Sequence, residues 1–134
     1  MAHVTEATQR SLKRHLVGAL PLIHRIAIRI GLKALLNRYV RAHGNDQIPV
    51  VDTLMLLLYN LTLGKDPLYE LQQWVSSIDP RAIGYPALAS EKFNDDRFAR
   101  ALDRLYLADR ASLMTEFVTN VVREFNLDLE RIHN

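Results

Sequence analysis

The sequence predicts an all-α protein: a single domain of about six helices packed around a central buried helix at residues 50–63, with a short strand-like tail at the C-terminus. Two patterns predict this class. One is an unbroken apolar segment in the middle of the chain, and the other is a series of flanking segments whose apolar residues recur three and four positions apart. The 134 residues include no cysteine, so we expect one core that packing alone stabilises.

The central segment, Val50–Leu63, reads VVDTLMLLLYNLTL. Leucine or methionine occupies every position from 54 to 58, so a helix here is apolar on all sides and is predicted to lie in the core. A strand is the alternative for a short apolar run, but leucine and methionine favour a helix. Gly64 stands where a left-handed C-cap would end this helix. The segment is too short to cross a bilayer, which requires about 20 apolar residues.

Two shorter helices are predicted before the central one. Pro21 suits the first turn of a helix that runs to Ile30, because its missing N–H would have no intrahelical partner at that position. Gly31 interrupts the pattern, and residues 32–40 form a second helix with leucines on its inner face. The polar residues 43–46 then form a loop.

Three segments follow the central helix. Asp66 and Pro67 are typical of a helix start, with aspartate as the N-cap and proline at the first helical position, and this helix must stop before Pro80. A short helical turn then starts at Pro80 and ends at Gly84. Residues 85–92 have no sustained period and are predicted to form a loop.

Two longer helices and a tail complete the chain. Asn94 is the predicted N-cap of the first helix, and Asp109 begins the second, which ends at Asn126. Residues 127–134 start with the alternation of apolar and polar residues that is typical of a strand. The last helix carries a continuous apolar seam. Its members are Leu113, Phe117, Val118, Val121, Val122 and Phe125.

Charge is distributed unevenly along the chain. Residues 1–45 contain eight lysines and arginines and one acidic residue, whereas the remainder contains nine basic and fourteen acidic residues. Residues 1–17 form a basic N-terminal arm, and the helical domain spans residues 18–126. A basic end of this kind indicates a polyanionic partner, most simply nucleic acid or an anionic surface. The alternative is that the basic end docks on the acidic part of the same chain.

The sequence contains no recognisable catalytic or metal-binding arrangement. The five histidines are not spaced as metal ligands. Asp95 and Asp96 point about 100° apart on a helix, so capping of the helix start explains them better than Mg²⁺ binding does. No serine lies in a nucleophile motif, and no glycine-rich phosphate loop occurs. We therefore expect neither a cofactor nor a metal, and, without a signal peptide, a cytoplasmic location.

An arginine stripe is the strongest candidate for a binding site. Arg97, Arg100 and Arg104 are spaced to share the outer face of the penultimate helix. A helix that follows a loop, lies beside a second helix and displays arginines outward is what a helix-turn-helix protein uses to read the major groove of DNA. The alternative is a solvated face on which Asp103 and Asp109 are the ion-pair partners.

A second basic set is predicted to contact the DNA backbone. Arg25, Arg29 and Lys33 are four residues apart and lie on the side of the helix away from its apolar face. Lysine and arginine in such a row contact phosphates and so position a protein without specifying a sequence. Lys13 and Arg14 in the N-terminal arm complete the predicted DNA-binding residues.

Five segments of the chain, taken in order, resemble a known family of proteins. They are GALPLI at 18–23, HGN at 43–45, YNLTLGKDPLYEL at 59–71, NDDRFARALDRLY at 94–106 and VVREFNLDLERIHN at 121–134. Together they resemble the N-terminal region of a family of bacterial insertion-sequence transposases, which belong to the DDE class and have an RNase H-like catalytic domain. The similarity covers nearly the whole chain from Gly18 onward, and it does not cover residues 1–17.

The resemblance implies a helical N-terminal domain that helps to bind the terminal inverted repeats of the element and to assemble the complex of protein and DNA ends. In that family a segment like LERIHN leads into the catalytic domain, and the first catalytic aspartate follows it closely. The resemblance therefore places all three catalytic acidic residues, and the metal ions they hold, beyond Asn134. We expect no enzymatic activity from this chain, and we expect DNA ends and a second copy or a full-length transposase as partners.

A protein-interaction module is the alternative function. Such a domain would pack on the catalytic domain or dimerise, and its charged residues would only keep it solvated. A regulator that inhibits a full-length transposase by mixed assembly is a variant of this alternative.

Overall fold

The computed structural model of the chain describes residues 18–42, 44–64 and 66–133. These ranges contain six α-helices and no β-strand, which confirms the predicted all-α class and the number of helices. The predicted basic arm, residues 1–17, lies outside them. The α-helices are α1 (Leu20–Ile30), α2 (Leu32–Tyr39), α3 (Val50–Leu63), α4 (Leu71–Ser77), α5 (Asp95–Leu107) and α6 (Arg110–Phe125). Shorter 3₁₀ helices are Leu68–Glu70, Pro80–Ile83, Ser90–Lys92 and Leu129–His133.

Helix α3 forms the centre of the core and has the bounds that the sequence predicts. Residues 50–57, together with Tyr59 and Asn60, are buried, and α1, α2, α4 and α5 pack around them. The prediction of burial on every side is wrong for the C-terminal end of the helix, where Leu61 is 54% exposed. An apolar sequence does not by itself determine burial, because burial also requires a neighbouring element on each side.

The break between α1 and α2 lies at Gly31, as predicted. Its φ of 72° is in the left-handed region, and its N–H donates to the carbonyls of Ala27 and Ile28. Leucines at 35 and 36 are then buried on the inner face of α2. The chain thus changes direction between two short helices without losing the backbone hydrogen bonds at the end of α1.

The predicted structure around Gly64 is wrong in two respects. Gly64 has right-handed backbone angles, φ −116° and ψ −36°, so it is not a left-handed cap. A Cβ at this position would lie 2.8 Å from the carboxylate of Asp66, so the glycine provides space rather than a special φ. Asp66 does not cap the following helix either, because the helical turn begins only after Pro67 and has no side-chain cap. The backbone carbonyl of Asp66 accepts a hydrogen bond from the side chain of Asn60 at 2.9 Å. A 3₁₀ turn therefore precedes α4, where the sequence predicts one continuous helix.

The remaining helix ends agree with the sequence. Asp79, Asn94 and Asp109 each accept a hydrogen bond from a backbone N–H two or three residues further along, at 2.9–3.1 Å. Gly84 and Asn126 adopt left-handed backbone angles where the short turn and α6 end. Short polar side chains at a helix start predict the local backbone reliably because their hydrogen-bond partners are only a few residues away.

The tail is not a strand, which corrects the prediction from its alternating sequence. Residues Leu129–His133 form a 3₁₀ helix, and the carboxylate of Asp128 accepts a hydrogen bond from the N–H of Glu130 at 3.0 Å. A strand requires a neighbour for its backbone groups, and the described ranges contain none. A local side chain satisfies the backbone instead.

Helix α6 packs against α1 and α2, yet none of its residues is fully buried. The apolar seam, which is continuous in the sequence, is divided in the structure. Leu113 packs against the core, whereas Val118 and Phe125 are exposed. The division arises because polar side chains of α6, rather than the whole seam, face α1 and α2. In the described part of the chain, none of the helices is long and apolar enough to cross a membrane.

Candidate nucleic-acid interface

The predicted arginines of α5 line an open groove between the first half of that helix and the loop before α3. The groove has a volume of about 280 Å³. It combines guanidinium groups with side-chain amides, which are the groups that hydrogen-bond most readily to phosphates and base edges. Its donors are Arg97, Arg100 and Arg104 from α5, Asn94 at the helix start, and Asn45 and Gln47 from the loop.

Local sequence explains why α5 presents these residues. The side chain of Asn94 accepts a hydrogen bond from the N–H of Arg97 at 2.9 Å and so fixes the start of the helix. Phe98 and Ala101 are buried against α3, and their burial sets the rotation of α5 about its axis. Residues 97, 100 and 104 consequently share one stripe along the groove.

The three arginines differ in how far they reach solvent. The side chain of Arg100 is 73% exposed and forms an ion pair of 2.6 Å with Asp96. Arg97 donates from Nε to the carbonyl of Lys92 at 2.5 Å. Arg104 departs from the predicted outer stripe, because its side chain is only 20% exposed and pairs with Asp46 at 2.5 Å.

Ion pairing does occur on this face, as the alternative interpretation expects, but with other partners. Asp96 and Asp46 hold the arginines, whereas Asp103 forms no ion pair in the described part of the chain and Asp109 caps α6. A guanidinium has five N–H donors. A single ion pair therefore orients Arg100 and leaves most of its donors available.

The second basic set is largely engaged by the protein itself. Arg29 pairs with Glu124 at 3.0 Å, and its guanidinium lies 4.9 Å from the ring centroid of Phe125. Lys33 pairs with the buried carboxylate of Asp52 at 2.8 Å. Arg25 is exposed and makes no ion pair within the described residues. The predicted contacts Lys13 and Arg14 lie outside the residues that the structure describes.

These pairs show that part of the basic end, within the residues that the structure describes, docks on acidic residues further along the chain. Arg29, Lys33 and Arg38 all belong to α1 and α2, and each pairs with a carboxylate from α3 or α6. The two pairs with α6 involve Glu124 and Glu116. Exposed ion pairs contribute only about 0–1 kcal/mol each, so they orient the helices more than they stabilise them.

A half-buried polar network, which the sequence does not reveal, lies beside a cavity of about 400 Å³ between α1, α2 and α3. The imidazole Nδ1 of His24 lies 2.7 Å from the hydroxyl of Tyr59. The hydroxyl of Tyr85 donates to Asp52, and Lys33 donates to the same tyrosine oxygen at 3.3 Å. Only Asp52 could have revealed the network in advance, because a carboxylate within an apolar helix requires a partner.

Burial sets the protonation states in this network. It raises the pKa of Tyr59 to about 12, and together with the hydrogen bond to Asp52 it raises the pKa of Tyr85. Burial, and secondarily the charge of Lys33, lowers the pKa of His24. Near neutral pH both tyrosines therefore remain protonated and His24 remains neutral. The network contacts α1, α2, α3 and the segment after Pro80–Ile83, so it joins elements that are distant in sequence.

The described residues contain no group of three or more histidine, aspartate or glutamate side chains that could hold a metal ion. Residues 12–119 match the family model described as a domain of unknown function, DUF4277. No curated protein and no solved structure matches the chain. The family match includes α1 to α5 and more than half of α6, and so it includes the groove.

Proposed function

The chain belongs to the DUF4277 family of domains of unknown function, and we propose that it is the DNA-binding and assembly domain of an insertion-sequence transposase of the DDE class. It would recognise the terminal repeats of the element. The groove on α5 is the observation that supports this proposal. The resemblance of five sequence segments to the N-terminal region of such transposases supports the assignment to that class of protein.

The chemistry of the groove fits a nucleic acid. Arginine binds the O6 and N7 atoms of guanine or a phosphate with two parallel N–H donors, and asparagine or glutamine binds adenine in a similar way. Arg97 and Arg100 lie within the first two turns of α5, where the positive end of the helix dipole adds to their attraction for a phosphate. The amides of Asn45 and Gln47 line the opposite side of the groove.

The acidic residues in the groove do not exclude DNA binding, but they affect which contacts the arginines make with DNA. The carboxylates of Asp46 and Asp96 reduce its net positive charge, and they also hold two guanidinium groups in fixed orientations. A fixed guanidinium favours contacts of defined geometry, which distinguish one sequence from another. Arg97 is oriented in a different way, by its hydrogen bond to the carbonyl of Lys92. Because the side chain of Arg104 is only 20% exposed, we assign recognition to Arg97 and Arg100, and phosphate contact to exposed cations such as Arg25.

A binding experiment tests this assignment. Fluorescence anisotropy would compare a duplex that carries the terminal repeats flanking the coding sequence with a shuffled duplex of the same composition. The wild-type chain should prefer the repeats, and Arg97→Ala or Arg100→Ala should reduce that preference by about 1–3 kcal/mol if the lost contact is bidentate. Arg123→Ala is the matched control, because it removes an exposed arginine from α6, outside the groove. Equal preference in all four proteins would contradict the assignment.

We also propose that this domain binds DNA without cutting it, because its described acidic residues are not grouped as a metal site requires. Pure protein should leave supercoiled plasmid intact in Mg²⁺ or Mn²⁺, since two-metal cleavage requires several acidic ligands in one site. Nicking assays on agarose gels would measure this. Metal-dependent nicking that disappears in Asp95→Asn or Asp96→Asn protein would overturn this part of the proposal. The cytoplasm, where bacterial DNA lies, is the proposed location.

A protein-interaction module remains the second candidate, and a different observation favours it. Large apolar side chains of α6 are exposed, although soluble monomers rarely expose extended apolar surfaces without a function. In this function the domain would contact the catalytic domain or another transposase chain. Absence of DNA affinity at low salt, combined with association through α6, would favour this candidate over DNA binding.

A further inference from the structure

Helix α6 turns polar as well as apolar side chains toward the protein. Glu116 accepts hydrogen bonds from Arg38 and Tyr39 of α2, and Glu124 accepts one from Arg29 of α1. These glutamates are eight residues apart on one side of α6. The opposite side of the helix, which carries Met114 and Val118, faces outward, so α6 exposes apolar side chains in addition to those such as Leu113 that pack inward.

The side chain of Asn120 strengthens this arrangement. It lies on α6 midway between the two glutamates and donates to the carbonyl of Ile30 at 3.1 Å. Ile30 is the last residue of α1, so the bond satisfies a carbonyl at a helix end that has no intrahelical partner. Four hydrogen bonds thus fix which side of α6 is exposed.

The exposed side carries a regular apolar stripe. At 100° per residue its five members fall within an arc of about 80°. Met114 is 57% exposed and Val118 is 48% exposed, whereas Val122 is half-buried and Phe125 is 37% exposed, so the first half of the stripe is the more accessible. Its spacings are three, four, four and three residues, which is a pattern typical of helix pairing. The stripe consists of Ala111, Met114, Val118, Val122 and Phe125.

These spacings are the same in both directions from Val118. We propose that α6 pairs with α6 of a second copy of this chain, in an antiparallel arrangement with the two-fold axis at Val118. Residues at equal distances before and after Val118 then lie opposite each other. Ala111 meets the partner's Phe125, and Met114 meets the partner's Val122. A small side chain thus opposes a large one, as close packing of two helices requires.

Charge complementarity at the ends of the helix favours the same partner. Arg110 begins α6, and Asp128 follows its C-terminus. The antiparallel arrangement brings Arg110 close to the partner's Asp128, and the symmetry repeats this attraction at the other end. The carboxylate of Asp128 accepts a hydrogen bond from the N–H of Glu130 at 3.0 Å and lies 3.9 Å from Arg131, and a carboxylate has further lone pairs that can accept a cation of the partner. A parallel pair would instead bring like charges together.

Exposed apolar side chains also lie near both ends of α6, where a paired helix could contact them. Helix α6 is about 24 Å long at 1.5 Å per residue. Four further large apolar side chains are exposed next to its two ends in the chain, namely Tyr106, Leu107, Leu127 and Leu129. These side chains add exposed apolar area near both ends of the helix, and a standard protein interface buries roughly 800 Å² on each partner.

Sedimentation velocity across a concentration series tests the pairing. The 134-residue chain should show a monomer–dimer equilibrium, and Val118→Glu should raise the dissociation constant more than about tenfold because two carboxylates would meet at the axis. Thr119→Glu is the matched control, since it adds the same charge at the adjacent exposed position away from the stripe. Its dissociation constant should stay within a factor of about two of wild type. Circular dichroism would verify that both variants fold.

Cysteine cross-linking tests the direction of the helices, because the natural chain has no cysteine. Val118→Cys should form a dimer under mild oxidation, since only a residue on the axis meets its own copy. Two Met114→Cys chains should not cross-link, because their Cα atoms would be about 12 Å apart along the helix, whereas a disulfide requires about 7 Å or less. A mixture of Met114→Cys and Val122→Cys chains should form the mixed dimer.

Two results would overturn the inference. One is a chain that remains monomeric up to the highest soluble concentration, and the other is a dimer in which Val118→Glu has no effect or Met114→Cys cross-links with itself. The inference does not depend on DNA binding, because the groove lies on α5. Anisotropy with the Val118→Glu protein would report DNA binding separately, so that failure of one proposal is distinguishable from failure of the other.

Discussion

At the scale of single residues, partial burial determines the protonation states of His24 and Tyr59, whose side chains are in contact. The two rings meet edge to face with centroids 5.9 Å apart, and the hydroxyl of Tyr59 lies 2.7 Å from the imidazole. A neutral imidazole can accept this hydroxyl, whereas a protonated one cannot. The contact between α1 and α3 is therefore sensitive to pH.

Stability should fall as the solution becomes acidic through the range in which His24 titrates. The pKa of His24 in the folded chain is below its ordinary value of 6.5, so the unfolded chain binds more protons there. The stabilisation is complete above pH 6.5 and is lost as pH falls through the folded pKa. Urea unfolding at several pH values between about 5.5 and 7.5 would measure this. His24→Asn should flatten the dependence, and an unchanged slope would contradict the assignment.

The sequence predicts the contacts of single residues best where a side chain bonds to a backbone group a few positions away. The caps Asn94 and Asp109 follow from sequence because their partners are three residues away. The pair between Arg104 and Asp46 spans 58 positions, so no spacing rule indicates it. The accessible part of the candidate site could thus be predicted only for Arg97 and Arg100, which lie near the start of α5.

At the scale of helices and turns, Gly31 is required for its backbone angle alone. Its φ is 72°, and a Cβ there would meet no atom within 4 Å. Gly31→Ala should therefore lower the free energy of unfolding by about 1–2 kcal/mol through backbone strain, and Gly31→Asn should cost less. Chemical denaturation would measure both variants. Gly18→Ala is the control because Gly18 has an ordinary φ and open space. Equal effects at Gly18 and Gly31 would contradict this explanation.

Helix α3 provides a test of burial within one element. Leu57 is buried, whereas Leu61, one turn further along, is exposed. Leu57→Ala should lower the free energy of unfolding by about 2–5 kcal/mol, which is a large share of the 5–15 kcal/mol typical of a domain. Leu61→Ala should cost less than about 1 kcal/mol. Similar losses at both positions would mean that a partner covers the exposed end of α3.

At the scale of the whole molecule, the positions of most helices can be predicted from the sequence, but the side of each helix that is exposed cannot. Periodic apolar residues are a local property, so five of six α-helices have bounds close to those predicted. The orientation of α6 depends on Glu116 and Glu124, whose partners lie in α1 and α2. Those contacts connect residues more than 70 positions apart, and periodicity does not contain them.

The two proposed surfaces belong to different helices of one molecule. The groove uses the outer side of α5, and the apolar stripe uses the outer side of α6. A protein that binds two DNA ends requires both a DNA surface and a means of bringing two copies together. A dimer through α6 would present two copies of the groove, which is the arrangement that an assembly domain for paired ends needs.

The salt dependence of DNA affinity tests the central claim most directly. Anisotropy titrations of the terminal-repeat duplex between about 50 and 200 mM salt should give a linear log–log plot with a slope near −0.9 for each phosphate neutralised. Arg25→Ala should bind more weakly with a slope flatter by about 0.9, because it removes a phosphate contact. The double variant Arg97→Ala/Arg100→Ala should also bind the terminal repeats more weakly, but with little change in slope, because those arginines are assigned to base recognition. Arg29→Ala should keep the wild-type slope, because Glu124 already engages that arginine. A wild-type slope near zero, or the same affinity in the double variant as in wild type, would contradict DNA binding through the α5 groove.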